Sequence, residues 1–358
     1  MTGVYIHIPF CRQKCAYCDF LSFPRREDIF EAYKDAVISE IKQARNLLCD
    51  GVDTIFFGGG TPTILPASYL CQILVELAKH LAPGAEITTE ANPCTVDFNY
   101  LKALRNNGFN RISFGLQAWQ NKLLKILGRP HDRELFLNAY YNAVKAGFNN
   151  INLDLMFSLP YQSLDDWNET VYSAVQLKPA HISAYALTIE EGTPFYEQRH
   201  ELPLPDDATD RAMYHAACET LGGSGYNHYE ISNFATQGSE CRHNIKYWCR
   251  DSYVGFGLNS HSFVDNTRWR NSCDLDEYIK NPGKKYDVIH LTGGDADAEA
   301  MFLGLRLTQG VCDSRLIDLY SDIIEKNVAL GLLEKNHDHI RLTKYGRDVS
   351  NRVFAEFI

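Results

Sequence analysis

From Val4 to Ala186 the chain alternates between short strand-like runs and longer helical ones. VYIHI (Val4–Ile8) alternates like a strand, Ile29–Leu48 has helical periodicity, TIFF (Thr54–Phe57) is a short apolar run, and Ala67–Leu81 is again helical. EITTE (Glu86–Glu90), RISFG (Arg111–Gly115), INLDL (Ile151–Leu155) and HISAYA (His181–Ala186) read as further strands. Helical stretches over Phe98–Asn107, Arg133–Ala146 and Leu164–Leu177 separate them. Helical crossovers between short strands imply parallel pairing with a right-handed sense. Six such units predict an α/β fold, either doubly wound or curled into a barrel-like arc. With 358 residues, 45% of them hydrophobic, the chain is long enough for a second, smaller unit.

That unit is expected after the alternation stops at Pro194. ELPLPDDATD (Glu201–Asp210) reads as a linker, and a region dense in His, Asn and aromatic residues runs to Trp269. Nearer the C-terminus, Glu299–Thr308 is helical and Gly331–Thr343 resembles a helix end followed by a hairpin, as in a winged-helix module. The division expected is residues 1–230 for the parallel-sheet domain and 231–358 for a C-terminal α+β domain.

The chemistry-bearing residues gather at one end of the predicted strands. Cys11 follows the first, Gly58-Gly59-Gly60 the second, Glu90 closes the third, Gln117 lies just past the fourth, Asp154 is near the end of the fifth, and Ala186 ends the sixth. Ligands of parallel α/β sheets bind at the carboxyl ends of the strands.

Three of the eleven cysteines fall within eight positions, as Cys11-x3-Cys15-x2-Cys18. An odd total excludes complete internal pairing, and the other eight read as small buried hydrophobes. A structural zinc site generally takes four ligands, and no second Cys-x2-Cys pair follows. A disulfide would leave one thiol over. A four-iron cluster normally takes one thiolate per iron, so three leave one iron open to a small molecule. The chain's 45 acidic and 35 basic residues give a net charge of −10, which argues against nucleic acid as a partner. No apolar run is long enough for a transmembrane helix, and MTGVYIHIPF lacks the features of a signal peptide. A cytoplasmic location is expected.

The three-cysteine spacing, with Tyr17 before the last thiol, resembles the signature of the radical S-adenosylmethionine superfamily. The resemblance implies a [4Fe-4S] cluster held by Cys11, Cys15 and Cys18. S-adenosylmethionine would chelate the open iron, and its reductive cleavage would give methionine and a 5′-deoxyadenosyl radical. FFGGGTPT, with Gly59, Gly60 and Thr61, looks like the family's glycine motif at the methionine end of the cofactor. Glu90 in EANP has the chemistry to accept from ribose hydroxyls. Gln117, Arg129, Asp154 and Tyr5 match cofactor-contacting positions by order and context, and Ala186 lies on the same rim.

IHIPFCRQKCAYCDF, FFGGGTPT, EANP, NLDLMFSLP and YEISNFA together resemble one branch, the oxygen-independent coproporphyrinogen III oxidases and their relatives. This implies a partial (β/α)6 TIM-like barrel followed by a smaller domain. The oxidase, which converts coproporphyrinogen III to protoporphyrinogen IX, carries a further cysteine two residues after the third and a long segment before the cluster. Here that cysteine's place is taken by Phe20. A haem-chaperone group within the branch is similar in having Phe there and an HNxxYW motif, matched by His243, Asn244, Tyr247 and Trp248 in CRHNIKYWC. The resemblance implies a chaperone carrying haem as cargo, with His243 as the candidate haem contact, and leaves radical oxidation of coproporphyrinogen as the alternative. It also implies haem-accepting proteins and a reductant for the cluster as partners, and is compatible with peripheral membrane contact. GFGLNS (Gly255–Ser260) lacks the third glycine of a dinucleotide fingerprint and is not read as one.

Overall fold

The structure, a computed structural model, describes residues 1–336 and 338–358. The six expected strands are present: β1 (Thr2–Ile8), β2 (Val52–Gly59), β3 (Leu81–Ala91), β4 (Arg111–Gln117), β5 (Asn150–Phe157) and β6 (His181–Ala186). All neighbours from β1 to β6 pair in parallel. The crossovers contain α1 (Phe30–Gln43), α2 (Ala67–Leu77), α3 (Phe98–Asn106), α4 (Arg133–Ala146) and α5 (Leu164–Gln176).

Strand alternation divides the sheet chemically. Ile6, Ile55, Phe114, Leu153 and Ile182 belong to one parity and join the main hydrophobic core. Each such side chain contributes about 1.5–3 kcal/mol by leaving water. The opposite parity (Tyr5, Phe56, Glu90, Ser113, Asp154, Ser183) lines a cavity on the sheet's other face. The helices begin and end on local signals. Asp132 accepts from the Leu135 N–H at the start of α4, Gly147 ends it with φ +101°, and Ser163 and Asp166 form a capping box on α5.

The later strands extend both edges. β7 (Asn227–Glu230) and β8 (Asn233–Ala235) join β6 through antiparallel pairs. On the other side β9 (Tyr253–Phe256) pairs in parallel with β1, and β10 (His261–Val264), β11 (Thr267–Arg270) and β12 (Tyr286–His290) follow antiparallel. The sheet order is β12-β11-β10-β9-β1-β2-β3-β4-β5-β6-β8-β7, open at β12 and β7, so the arc of six βα units is a partial barrel. Between β8 and β9, helix α6 (Arg242–Trp248) lies against the inner face, its His243 side chain reaching β2.

The sheet continues past the division expected at 230/231. Residues 253–290 are hydrogen-bonded into the barrel's sheet, whereas the second core comprises residues from Met301 to Phe357. Helix α7 (Gly293–Gly304) contributes Met301 to that second core, which also takes in the expected hairpin, β13 (Leu333–Asn336) with β14 (His339–Leu342). The expected linker is shorter too, because Asp206 caps a helix over Asp207–Gly223 by accepting from the Thr209 N–H.

Candidate functional site

The turn after β1 carries the three cysteines. Cys11 sits in a two-residue strand beside Pro24, and its thiol lies 3.5 Å from the Thr61 hydroxyl. The Cys18 N–H donates to the Cys15 carbonyl, closing the turn between the second and third thiols. Burial raises the Cys11 thiol and pushes Cys18 up to about 11. A metal taking these sulfurs would displace protons the fold otherwise retains. Among the described residues no three His, Cys, Asp or Glu side chains surround one ion. Three thiols lining one cavity suit a cluster, which takes one thiolate per iron.

That cavity has a volume of about 500 Å³ and is lined by Cys11, Cys15, Tyr17 and Cys18 from the loop. The carboxyl ends of β2 to β6 and their turns add Gly59, Gly60, Thr61, Glu90, Gln117, Asp154 and Ala186, and Arg129 reaches in from the segment after β4. The convergence follows from the parallel sheet: all six strands point the same way, so their last inward residues meet at one rim.

The rim is built around close backbone approach. A β-carbon on Gly60 would lie 2.7 Å from the Phe10 carbonyl oxygen and 3.0 Å from the Cys11 sulfur. Gly59 has φ +108°, and a β-carbon there would lie 2.6 Å from the His7 ring. His7 is fixed between two partners, donating from Nε2 to the Leu21 carbonyl and accepting at Nδ1 from the Tyr5 hydroxyl. Burial lowers its pKa to about 4. Glu90 accepts from the Gly59 N–H at 3.2 Å, and burial, reinforced by the Asp154 charge, raises its carboxyl to about 8.

Asp154 ends a buried polar chain. It accepts from Ser113 Oγ at 2.9 Å and Asn152 Nδ2 at 2.8 Å. Asn152 Oδ1 accepts from His181 Nδ1 at 2.6 Å, His181 Nε2 accepts from the Tyr229 hydroxyl, and that hydroxyl oxygen accepts from the Cys241 N–H. Burial still raises the Asp154 pKa against these donors. The carboxylate inside an apolar strand therefore has the partners its burial requires.

Arg129 is a cation of the site, and Lys14 lines the same cavity. Arg129 Nη2 donates to the Gly115 carbonyl at 2.8 Å, and Arg129 Nη1 lies 3.6 Å from the Cys15 sulfur and 3.5 Å from the Tyr17 hydroxyl. The buried Arg129 Nε has no partner among the described residues. Gln117, at φ +70°, accepts from the Tyr185 hydroxyl.

Two expected contacts sit deeper. Tyr5 and His243 line a cavity of about 190 Å³ that shares Glu90, Ser113, Asp154, Ser183 and Asn244 with the larger one. His243 is buried, with Nδ1 2.9 Å from the Thr54 hydroxyl and Nε2 2.8 Å from the Tyr247 hydroxyl. Its ring stacks on Phe56 with centroids 5.3 Å apart, and burial lowers its pKa to about 3. In this arrangement both ring nitrogens of the candidate haem contact are hydrogen-bonded, on a helix packed against the inner face of the sheet.

The sequence reading missed Ser113, Ser183, Tyr185, Asn92 and Asn244 as cavity residues. The two-residue parity shared with Asp154 and Gln117 would have found the first three. The other cysteines divide: Cys71 and Cys241 are buried, whereas Cys49, Cys249, Cys273 and Cys312 are exposed and do not fill core.

A partial (β/α)6 barrel with three thiols at its carboxyl rim defines a class. The family model described as the radical SAM superfamily matches residues 5–172. Relatives named heme chaperone HemW narrow it. The chain is 34% identical to that of Bacillus subtilis, with 100% of this chain and 99% of the relative covered. It is 36% identical to that of Synechocystis, with 97% and 87% covered. The chain belongs to the HemW family of the radical SAM superfamily. Coproporphyrinogen III oxidase (HemN) from Escherichia coli shares the fold, with a TM-score of 0.86 over 99% of this chain and 89% of that one, at 23% identity.

Proposed function

We propose that this protein is a haem chaperone, which holds a [4Fe-4S] cluster and S-adenosylmethionine at the barrel rim and delivers haem to acceptor haemoproteins. Full-length similarity to the HemW relatives carries the reading. Cys11, Cys15 and Cys18 would hold the cluster, which supplies an open coordination position and a transferable electron when bound. Gly59, Gly60 and Thr61 let a ligand approach the backbone closely at the rim, while their N–H groups donate to Glu90, Ile8 and Phe10 within the protein. Glu90 and Asp154 offer acceptors to hydroxyl or ammonium groups, and Arg129 offers a buried positive charge to an anionic one. Tyr17 and Ala186 give the cavity an aromatic and a small apolar wall.

Phe20 favours transport over oxidation of coproporphyrinogen. It stands where the oxidases carry a fourth clustered cysteine and is 61% exposed at the cavity. An exposed phenyl group supplies an apolar face to a flat ring and no redox chemistry.

The test is transfer. Haem-loaded protein, purified anaerobically after iron and sulfide loading, is mixed with an apo-haemoprotein, and the acceptor's Soret band is followed. Growth of that band faster than free haem transfer supports the chaperone. Unchanged acceptor spectra, together with turnover of coproporphyrinogen III to protoporphyrinogen IX in the presence of S-adenosylmethionine, would replace it with the oxidase.

A further inference from the structure

A third cavity, of about 410 Å³, adjoins the cluster-side cavity. The two share Tyr185, Ala186, Thr188 and Ser232 in their walls. It lies between the end of β6 and the C-terminal module, with Phe157, Tyr214 and Ile231 in its walls. Its charge is unusual for this chain. Four arginines (Arg211, Arg306, Arg347 and Arg352) line it against one aspartate, Asp348, although the whole protein carries −10.

The four differ in what occupies them. Arg211 is paired with Asp210 and lies 3.8 Å from Asp348. Arg306 approaches the buried Glu230 at 3.8 Å and covers the Trp248 ring at 4.2 Å from its centroid. Its Nε, like Glu230 Oε2, has no partner among the described residues. Arg347 makes one long bond, 3.4 Å, to the Leu342 carbonyl, and neither it nor Arg352 has a described carboxylate within ion-pairing distance. Guanidinium groups held in a mainly polar cavity beside Phe157, Tyr214 and Ile231 match the carboxylate-bearing edge of a flat molecule, since arginine binds carboxylates through paired N–H donors. The second pair of arginines is free to do so without breaking a pair inside the protein.

We infer that this cavity is the carboxylate end of the haem site: Arg347 and Arg352 hold the propionates while the macrocycle extends along Tyr185 and Ala186 toward the cysteine-lined cavity. The inference rests on the haem reading above and adds where and by what groups the cargo is oriented. Both cavities lie within the usual volume range for ligand sites, and their shared lining lets a molecule held at the arginines reach the edge of the cavity assigned to the cluster and S-adenosylmethionine.

Binding of haem and of haem dimethyl ester, whose carboxylates are masked, separates the possibilities. Both are titrated into the full-length, cluster-loaded protein, wild type beside Arg352→Glu and beside Arg347→Gln/Arg352→Glu. Arg352 is exposed and has no carboxylate partner, so the single variant tests the charge without disturbing a contact, and matching melting curves confirm the fold. The expected result is a haem Kd raised at least tenfold in the double variant and severalfold in the single one, with ester binding changed less than twofold. Haem binding equal to wild type in both variants overturns the inference and leaves the chaperone reading standing. Equal losses for haem and ester also overturn it, because the effect would not lie at the carboxylates. Failure of the wild type to bind haem removes the chaperone reading itself.

Discussion

Replacing Gly59 by alanine tests whether the glycine motif is a steric requirement of the rim. Two penalties add at this position. At φ +108° a side chain is strained, by about 1–3 kcal/mol. The new β-carbon would also lie 2.6–3.0 Å from three atoms of the His7 ring, and so must displace it. His7 holds the Tyr5 hydroxyl and the Leu21 carbonyl, so a shift weakens two hydrogen bonds worth about 0.5–1.5 kcal/mol each. Overpacking adds about 1–3 kcal/mol. Allowing for partial relaxation, Gly59→Ala should lose roughly 3–6 kcal/mol. Gly84→Ala is the control: its φ is +73°, but nothing lies within 4 Å of a β-carbon there. It carries the backbone term alone, about 1–2 kcal/mol. Urea unfolding of the metal-free proteins gives both numbers. Equal losses in the two variants would refute the steric argument.

Three further outcomes follow from the site. Cys15→Ser should lose the brown absorbance of the loaded protein and most of its iron, and a variant with full iron would remove Cys15 from the ligand set. Glu90 ionises near 4.5 when unfolded and near 8 in the fold, so between those values the native state holds a proton the unfolded chain has lost. Stability should therefore fall as pH rises across that window, and Glu90→Gln should flatten the fall in urea midpoints measured from pH 5 to 8; an unchanged slope would contradict it. His7 acts with the opposite sign, losing stability as pH drops from 6.5 through 4, so the comparison is made variant against wild type. His243→Ala removes a stacked, doubly hydrogen-bonded ring and should lower stability by about 2–4 kcal/mol. Its haem Kd should stay within about threefold of wild type if the imidazole is a strut, whereas loss of the haem Soret band in a folded variant would identify it as a ligand.

The barrel was legible because its strands obey two rules at once. INLDL and HISAYA place Ile and Leu on one parity and Asn, Asp, His and Ser on the other, and the helices between them have clear ends. β4 was read as stopping at Gly115 and runs to Gln117, a small error that still left Gln117 on the rim. The strands from β9 to β12 were not legible. They are only four or five residues long, β9 to β11 are joined by turns alone, and β9 is defined by pairing with β1 across more than 200 residues of sequence. GFGLNS belongs to that region, and its glycines serve packing: a β-carbon on Gly257 would lie 2.5 Å from the His7 carbonyl oxygen. Of the site, residue types and their strand ends were visible in sequence, but burial was not. His243 beside aromatic residues reads in sequence as a haem contact or a hydrogen-bonded core histidine, and its partners Thr54 and Tyr247 could not be read from sequence.

The central claim is that the loaded protein binds haem as cargo. Anaerobic titration of haem into the protein carrying iron and sulfide, followed by absorbance, tests it most directly. The account predicts saturable binding near one haem per chain. Unsaturable, nonspecific uptake indistinguishable from that of an unrelated acidic protein would contradict it.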